Sequence, residues 1–216
     1  MSSYLFGVAA GGWKSLTYEK KYAGMEFKLW TRAALLENMK ALAPGIFTVT
    51  YRSMQYLEKF LGVMHPFSTY NQVFCPDFNM GAMENPGLIT FNDLYLKRKF
   101  PTNQLKYALY NTITHEMIHM WFGNLVTMKW WDDLWLNESF ADFLSFYTLD
   151  KIKHRLSPHV DPTHDHWCQF HRRKENAFLE DQYPTTHPIA CEVSSTQQAE
   201  TIFDGITYTK GAAVMR

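Results

Sequence analysis

Apolar residues recur at helical spacing in two long windows near the middle of the chain. In the first, Leu105, Leu109, Ile113, Met117 and Met120 share one face. Pro101-Thr102-Asn103 opens this window, with Thr102 or Asn103 as the cap, and Gly123 is its expected stop. In the second, Leu134, Leu136, Phe140, Phe143, Leu144 and Tyr147 leave little polar surface, the pattern of a buried helix. Shorter helical patterns cover 33–43, through Leu35, Leu36 and Met39, and 48–62, through Tyr56, Leu57, Phe60 and Leu61. Pro44-Gly45 is expected to separate these two, and Gly62 to end the latter. Strand-like stretches run from Tyr4 to Ala10 and from Tyr22 to Trp30, the latter alternating through Met25, Phe27 and Leu29. Residues 70–100 read as extended, with strands at Asn71–Phe74 and Gly87–Phe91. A further helix is expected from Ser195, and a last one from Tyr208.

Composition narrows the class. With 46% hydrophobic and 16% aromatic residues, the chain has ample material for a core. Lys plus Arg equals Asp plus Glu, so the formal net charge is zero and no nucleic-acid partner is indicated. No run of eighteen or more apolar residues occurs, so no membrane span is expected. The opening Met1–Phe6 lacks a basic region and a cleavage signal, and no signal peptide is read there. Three sparse cysteines, Cys75, Cys168 and Cys191, argue against a disulfide framework and for a reducing, cytoplasmic setting. Residues 154–190 hold six of the nine histidines. A second metal site at His164-Asp165-His166 is weaker than the plain reading of a solvated loop and a charged helix through Arg172–Glu175.

The chemistry concentrates in His115-Glu116-Met117-Ile118-His119. On a helix, residues four apart lie on one face, so both imidazoles reach one metal ion. Glu116 then stands where its carboxylate meets a water on that metal and serves as general base. After His119 come eighteen residues and then Glu138, which a returning helix would place as a third, oxygen ligand. Three protein ligands leave a position open, as catalysis needs, and a His, His, Glu set favours zinc, one ion per chain. Asp142, one turn beyond Glu138, is expected to accept the second N–H of a ligand histidine. Asn137-Glu138-Ser139 has the form of a glycosylation sequon, but a metal-bound Glu138 would bury it.

Three further segments carry a family resemblance: Phe78–Asn85 with Gly81-Ala82-Met83-Glu84-Asn85, Trp121–Thr127, and Tyr208–Ala212. Together with the H-E-x-x-H run they resemble the zinc aminopeptidases of the gluzincin clan, the family of membrane alanyl aminopeptidase and leukotriene hydrolase. The resemblance implies an α+β fold, a thermolysin-like zincin catalytic domain over 33–216 with a small mixed sheet and an active-site helix pair. It also implies that 1–32 are the last strands of a separate N-terminal β-domain. Such strands cannot bury two faces alone, so the relatives' remaining domains or partner subunits are expected to cover the open edges. The apolar face through Ala212, Ala213, Val214 and Met215 is expected to be one of them.

By the same resemblance Glu84 binds the free α-ammonium of a peptide substrate, while Gly81 and Ala82 let the substrate backbone approach. Met83 and Asn85 complete that loop, Gln72 lines the first side-chain pocket, and Tyr208 donates to the oxyanion. The implied activity is hydrolysis of the N-terminal bond of peptides with a free N-terminus. The alternatives are epoxide opening by the same site and a shortened relative acting as an interaction subunit.

Overall fold

The strand Phe27–Arg32 (β2) buries Phe27, Leu29 and Thr31 on one face, the period-two pattern of a sheet with one covered side. It is the second strand of a five-stranded mixed sheet in the computed structural model, which describes residues 2–161 and 163–216. The other strands are Trp13–Thr17 (β1), Tyr70–Cys75 (β3), Ala82–Met83 (β4) and Leu88–Asn92 (β5). Their spatial order is β1-β2-β3-β5-β4. β2 to β3 and β3 to β5 run parallel, with Phe27 opposite Tyr70 and Asn71 opposite Leu88. The two edges are antiparallel, with Trp13 opposite Arg32 and Ala82 opposite Phe91. The sheet therefore crosses the expected boundary at residue 32. The Tyr4–Ala10 stretch forms no strand: Ser3–Leu5 make a 3-10 turn capped by Ser2.

Three long helices pack on the sheet and on one another: Leu36–Leu61 (α1), Asn103–Ile118 (α2) and Leu134–Ile152 (α3). Phe27, Tyr70, Phe74 and Phe91 meet Met39, Ile46, Met54 and Leu57 of α1 in the main core. Between α2 and α3, Asn111 Nδ2 donates to Ser145 Oγ at 2.8 Å, and His115 Nε2 lies 3.3 Å from Glu138 Oε2. Contacts that fall in opposite order along two helices make them antiparallel, so the ligand positions meet across one seam. The rest of the chain contributes His166–Glu180 (α4), Thr196–Glu200 (α5), a π-turn over Ile206–Lys210 and Gly211–Val214 (α6). Among the described residues no helix is long and apolar enough to cross a membrane.

Several expectations need correction. The two short helices are one: α1 runs through Pro44. Proline removes one backbone bond there, but Met39, Leu42 and Ala43 before it and Ile46, Phe47 and Val49 after it are all buried in the same core. Packing on both sides outweighs the local break. α1 does end at Gly62, whose φ of 70° is left-handed. α2 is capped by Thr102 but ends at Ile118, short of Gly123, and Leu105 in its first turn is 45% exposed rather than in the core. Tyr208 lies within the π-turn instead of opening an α-helix. In the expected apolar end patch, Ala212 is buried against Phe146 and Phe170, and Ala213 and Met215 lean on them; only Val214 projects, at 75% exposure.

His164 and His166 are packing groups. Both lie beside the Tyr107 ring, His164 stacked on it with centroids 3.5 Å apart. Neither belongs to a three-residue metal-binding group among the described residues. Asp165 between them caps α4, accepting from the backbone of Trp167 and Cys168.

A methyl group at Gly45 would lie 2.0 Å from Tyr110 Oη and 3.0 Å from Cζ, so Gly45→Ala drives α1 off α2. Thermal unfolding should show a loss of about 1–3 kcal/mol, partly recovered when Tyr110→Phe is added; an unchanged Tm would refute the close approach. Burial, helped by His164 and Lys153 and opposed by Asp150 and Asp165, lowers the His166 pKa from its usual value to about 4. The fold thus favours the neutral ring. Its contribution is complete above the unfolded value of about 6.5 and is lost as pH falls from there towards 4. Between pH 7 and 5 the wild-type Tm should fall further than that of His166→Phe; parallel curves would refute this.

Candidate metal centre and cleft

His115 and His119 stand one turn apart on α2, and α3 brings Glu138 to them. The two Nε2 atoms are 3.0 Å apart, and Glu138 Oε2 lies 3.3 Å from one and 3.4 Å from the other. These atoms form a nearly equilateral triangle. Tetrahedral zinc with ligands at about 2.0–2.1 Å has edges of about 3.3 Å, so this donor set fits such an ion. His119 Nδ1 lies 3.0 Å from the Phe122 carbonyl, which fixes the ring with Nε2 towards Glu138.

Asp142 does not play the expected part. Its buried carboxylate accepts from Thr209 Oγ1 at 2.9 Å and lies 2.6 Å from Arg173 Nη1, and among the described residues no histidine bonds it. Asp142 ties the π-turn and α4 to α3 instead.

Glu116 and Glu84 gather on the other side of His119; one ligand atom from each of the three falls within 4.8 Å of the others. Glu84, Glu116 and Glu138 are 3%, 5% and 2% exposed, so three carboxylates are buried together. Burial raises the Glu116 pKa well above the carboxylate range; Glu84 and Glu138 add to this and His119 opposes it. Burial also raises Glu84, whose Oε1 has no hydrogen-bond partner among the described residues. Glu138 goes the other way: burial raises it, but His119 and His115 outweigh that and hold it at about 2.

The Gly81–Asn85 segment divides in two. Gly81 and Ala82 line a cavity of about 470 Å³ together with His115, Glu116 and Tyr208. Met83 is half-buried in β4, paired with Thr90 and outside that lining. The Asn85 side chain is taken up structurally, donating to the Leu5 carbonyl at 3.1 Å and accepting from Thr90 at 3.0 Å. Gln72 is not in the cleft: it is fully buried in β3, where Nε2 donates to Thr50 Oγ1 of α1 at 2.9 Å. Asn137 is buried.

Tyr208 stacks near His115, with centroids 5.9 Å apart and planes 12° apart. Burial, then Glu138, Tyr4 and the other two glutamates, raises its pKa well above 10, so the hydroxyl remains a donor. Its turn is fastened to α3 by Ser139 Oγ, which donates to the Thr207 carbonyl at 2.6 Å, and by Thr209 on Asp142.

Three contributors went unread in the sequence. Asn124 Nδ2 donates to the Glu84 carbonyl at 2.8 Å, which gives the Trp121–Thr127 run a positional role. Tyr4 sits edge-on to Trp131 at 5.1 Å, and its pKa is raised by burial and then by Glu84, Glu138 and Glu116. Arg173 of α4 lines the same cavity as Gly81 and Ala82. The last two come from turns and helices distant in sequence, and no local spacing announces them.

Two histidines on one helix, a glutamate from the next and a second glutamate beside them define the class of H-E-x-x-H metallopeptidase scaffolds. Comparison with known proteins specifies the family: the Peptidase family M1 domain profile matches residues 46–216, and the chain belongs to that family. It is 38% identical to Aminopeptidase N of Streptomyces lividans, over all of this chain and 25% of that protein. It is 35% identical to the Tricorn protease-interacting factor F2 of Thermoplasma volcanium, over all of this chain and 26% of that protein. It is 37% identical to Leucyl aminopeptidase of Saccharolobus solfataricus, over 78% of this chain and 21% of that protein. The chain thus spans about a quarter of the length of these relatives.

The fastening of Tyr208 can be tested. A methyl group at Gly211 would lie 2.0 Å from Ser139 Oγ and 3.1 Å from its Cβ. Gly211→Ala should cost about 1–3 kcal/mol in thermal unfolding, and Ser139→Ala in the same chain should recover part of it. Additive losses from the two changes would mean that they do not meet.

Proposed function

We propose that this chain is the catalytic core of a zinc aminopeptidase, with the thermolysin-like arrangement beginning at about residue 33 and β1 and β2 completing its sheet. The observation that carries this is the triangle of His115 Nε2, His119 Nε2 and Glu138 Oε2, with sides of 3.0–3.4 Å. The names of the relatives, aminopeptidases among them, support the same reading. Charge supports it too. Three buried carboxylates face one another across the site; a divalent ion and a substrate ammonium together would balance them.

Zinc held by His115, His119 and Glu138 would polarise the scissile carbonyl and acidify a water. Glu116, its proton affinity raised by burial, takes a proton from water and passes it to the leaving amine. Tyr208 donates its hydroxyl hydrogen to the oxygen on which charge develops. Glu84 pairs through its free Oε1 with the α-ammonium, which an internal or acylated residue does not offer. The edge at Gly81–Ala82 receives the substrate backbone as an added strand.

The test is hydrolysis of amino-acid p-nitroanilides by the purified chain, with zinc content and Tm measured alongside. One zinc per chain should raise the Tm, and a chelator should abolish both binding and turnover. Glu116→Gln should lower kcat by about 10²–10⁴-fold, and Tyr208→Phe by about 10²-fold with little change in KM. Glu84→Gln should act mainly on KM. Turnover that survives the chelator, or that accepts N-acetylated substrates equally, would overturn the reading.

A further inference from the structure

Arg173 is the only cation among the described residues lining the 470 Å³ cavity that holds His115 and Glu116. It also lines two neighbouring cavities, of about 310 and 370 Å³, so it stands where the cleft branches. The guanidinium is fixed from behind: Asp142 Oδ1 lies 2.6 Å from Nη1, and the Phe146 ring centroid is 5.6 Å from Cζ. A guanidinium carries five N–H donors. Asp142 accounts for one approach, and Arg173 makes no other ion pair or hydrogen bond among the described residues. The side chain stays 42% exposed, so donors remain for a ligand.

Position decides which ligand. Glu84 lies by His119, at the end of α2. Arg173 shares its cavities with Asn111 and Thr112, two turns earlier on the same helix. Asn111 and His119 are eight residues apart in sequence, about 12 Å along the axis. His115 and Glu116 fall between them. An extended residue spans about 3.3–3.6 Å, so a peptide of two or three residues, with a hydrogen-bond length at each end, bridges that separation.

Resting on the aminopeptidase reading, we propose that Arg173 binds a carboxylate on the leaving-group side of the scissile bond, the α-carboxylate of a di- or tripeptide, and so favours short peptides. The substrate is then held by opposite charges at its two ends, the ammonium on Glu84 and the carboxylate on Arg173. The plainer role, neutralising Asp142, is already filled by a single nitrogen and leaves the exposed donors unexplained.

Equilibrium binding tests this without turnover. L-Ala-L-Ala, L-Ala-L-Ala-amide and L-Ala-L-Asp-amide are titrated calorimetrically into the zinc-loaded Glu116→Gln chain. The free dipeptide should bind about tenfold tighter than its amide, and Arg173→Gln should bring the ratio to about one, with the amide's own Kd unchanged. Arg173→Lys should keep part of the preference. If Arg173→Gln does not fold, Arg173→Gln with Asp142→Asn removes the stranded charge and carries the same expectation. Tight binding of the Asp-amide that is lost in Arg173→Gln would support the carboxylate site and assign it to an acidic side chain. A ratio of one in the parent chain, a ratio untouched by Arg173→Gln, or no binding of any of the three would overturn the proposal. The p-nitroanilides carry no carboxylate, so their hydrolysis judges the aminopeptidase reading separately.

Discussion

Burying three carboxylates and two imidazoles at one point is the constraint on which the rest of the molecule depends. Left to itself such a group would swell apart or take up protons, since a lone buried carboxylate is costly and like charges add to the cost. The scaffold must therefore hold the donors together. It does so with the antiparallel seam of α2 and α3, where Asn111 bonds Ser145 and Phe122 stacks on Phe140 at 4.8 Å. Behind the seam, α1 spans the sheet and closes the core, and the approach of Gly45 to Tyr110 draws α1 against α2. The outer pieces serve the same end: Asn124 fixes Glu84, and Asp142 and Ser139 hold the turn that carries Tyr208.

How much of this could be read in the sequence depended on how far apart in the chain the cooperating residues lie. The grouping of His115, His119 and Glu138 was legible because two of its members repeat at the helical period and the third follows within one hairpin of helices. Pro44 misled because a local rule was applied where buried residues on both sides of it decided the outcome. Gln72 misled through strand parity: it points to the same side as Tyr70 and Phe74, which α1 covers. Asp142 showed the limit of the helical-face argument. One turn from Glu138 put it near the centre, but its partners, Thr209 and Arg173, come from segments whose position no spacing rule gives. Tyr4 was read as part of a strand, yet it packs on Trp131 because Asn85 holds the Leu5 carbonyl.

Sheet edges of the kind found at β4 are usually blocked. β4 is only two residues long, and the Gly81 carbonyl before it accepts from Asn92 at 2.9 Å. Its outer side opens on the cavity that holds His115 and Glu116. A short edge facing a narrow cleft resists pairing with another whole sheet but admits a single extended segment. Small residues at Gly81 and Ala82 keep that approach free of side chains. On the proposed function, the same geometry sets the substrate's direction, since Glu84 follows directly along the segment.

The distribution of charge along α2 completes the picture. Its C-terminal end meets Glu84, and its earlier turns share a cavity with Arg173. Acid lies at one end of the cleft and base at the other, with the ligand triangle between them. The formal net charge of zero conceals this, because composition averages over positions. On the two proposals, a zwitterionic peptide entering such a cleft would be oriented by the field before any single bond forms, with its ammonium drawn towards the glutamates and its carboxylate towards α4. Reversal would set like charges against each other at both ends. Orientation and the choice of bond then have one physical origin, and neither requires contact with the side chain of the first residue.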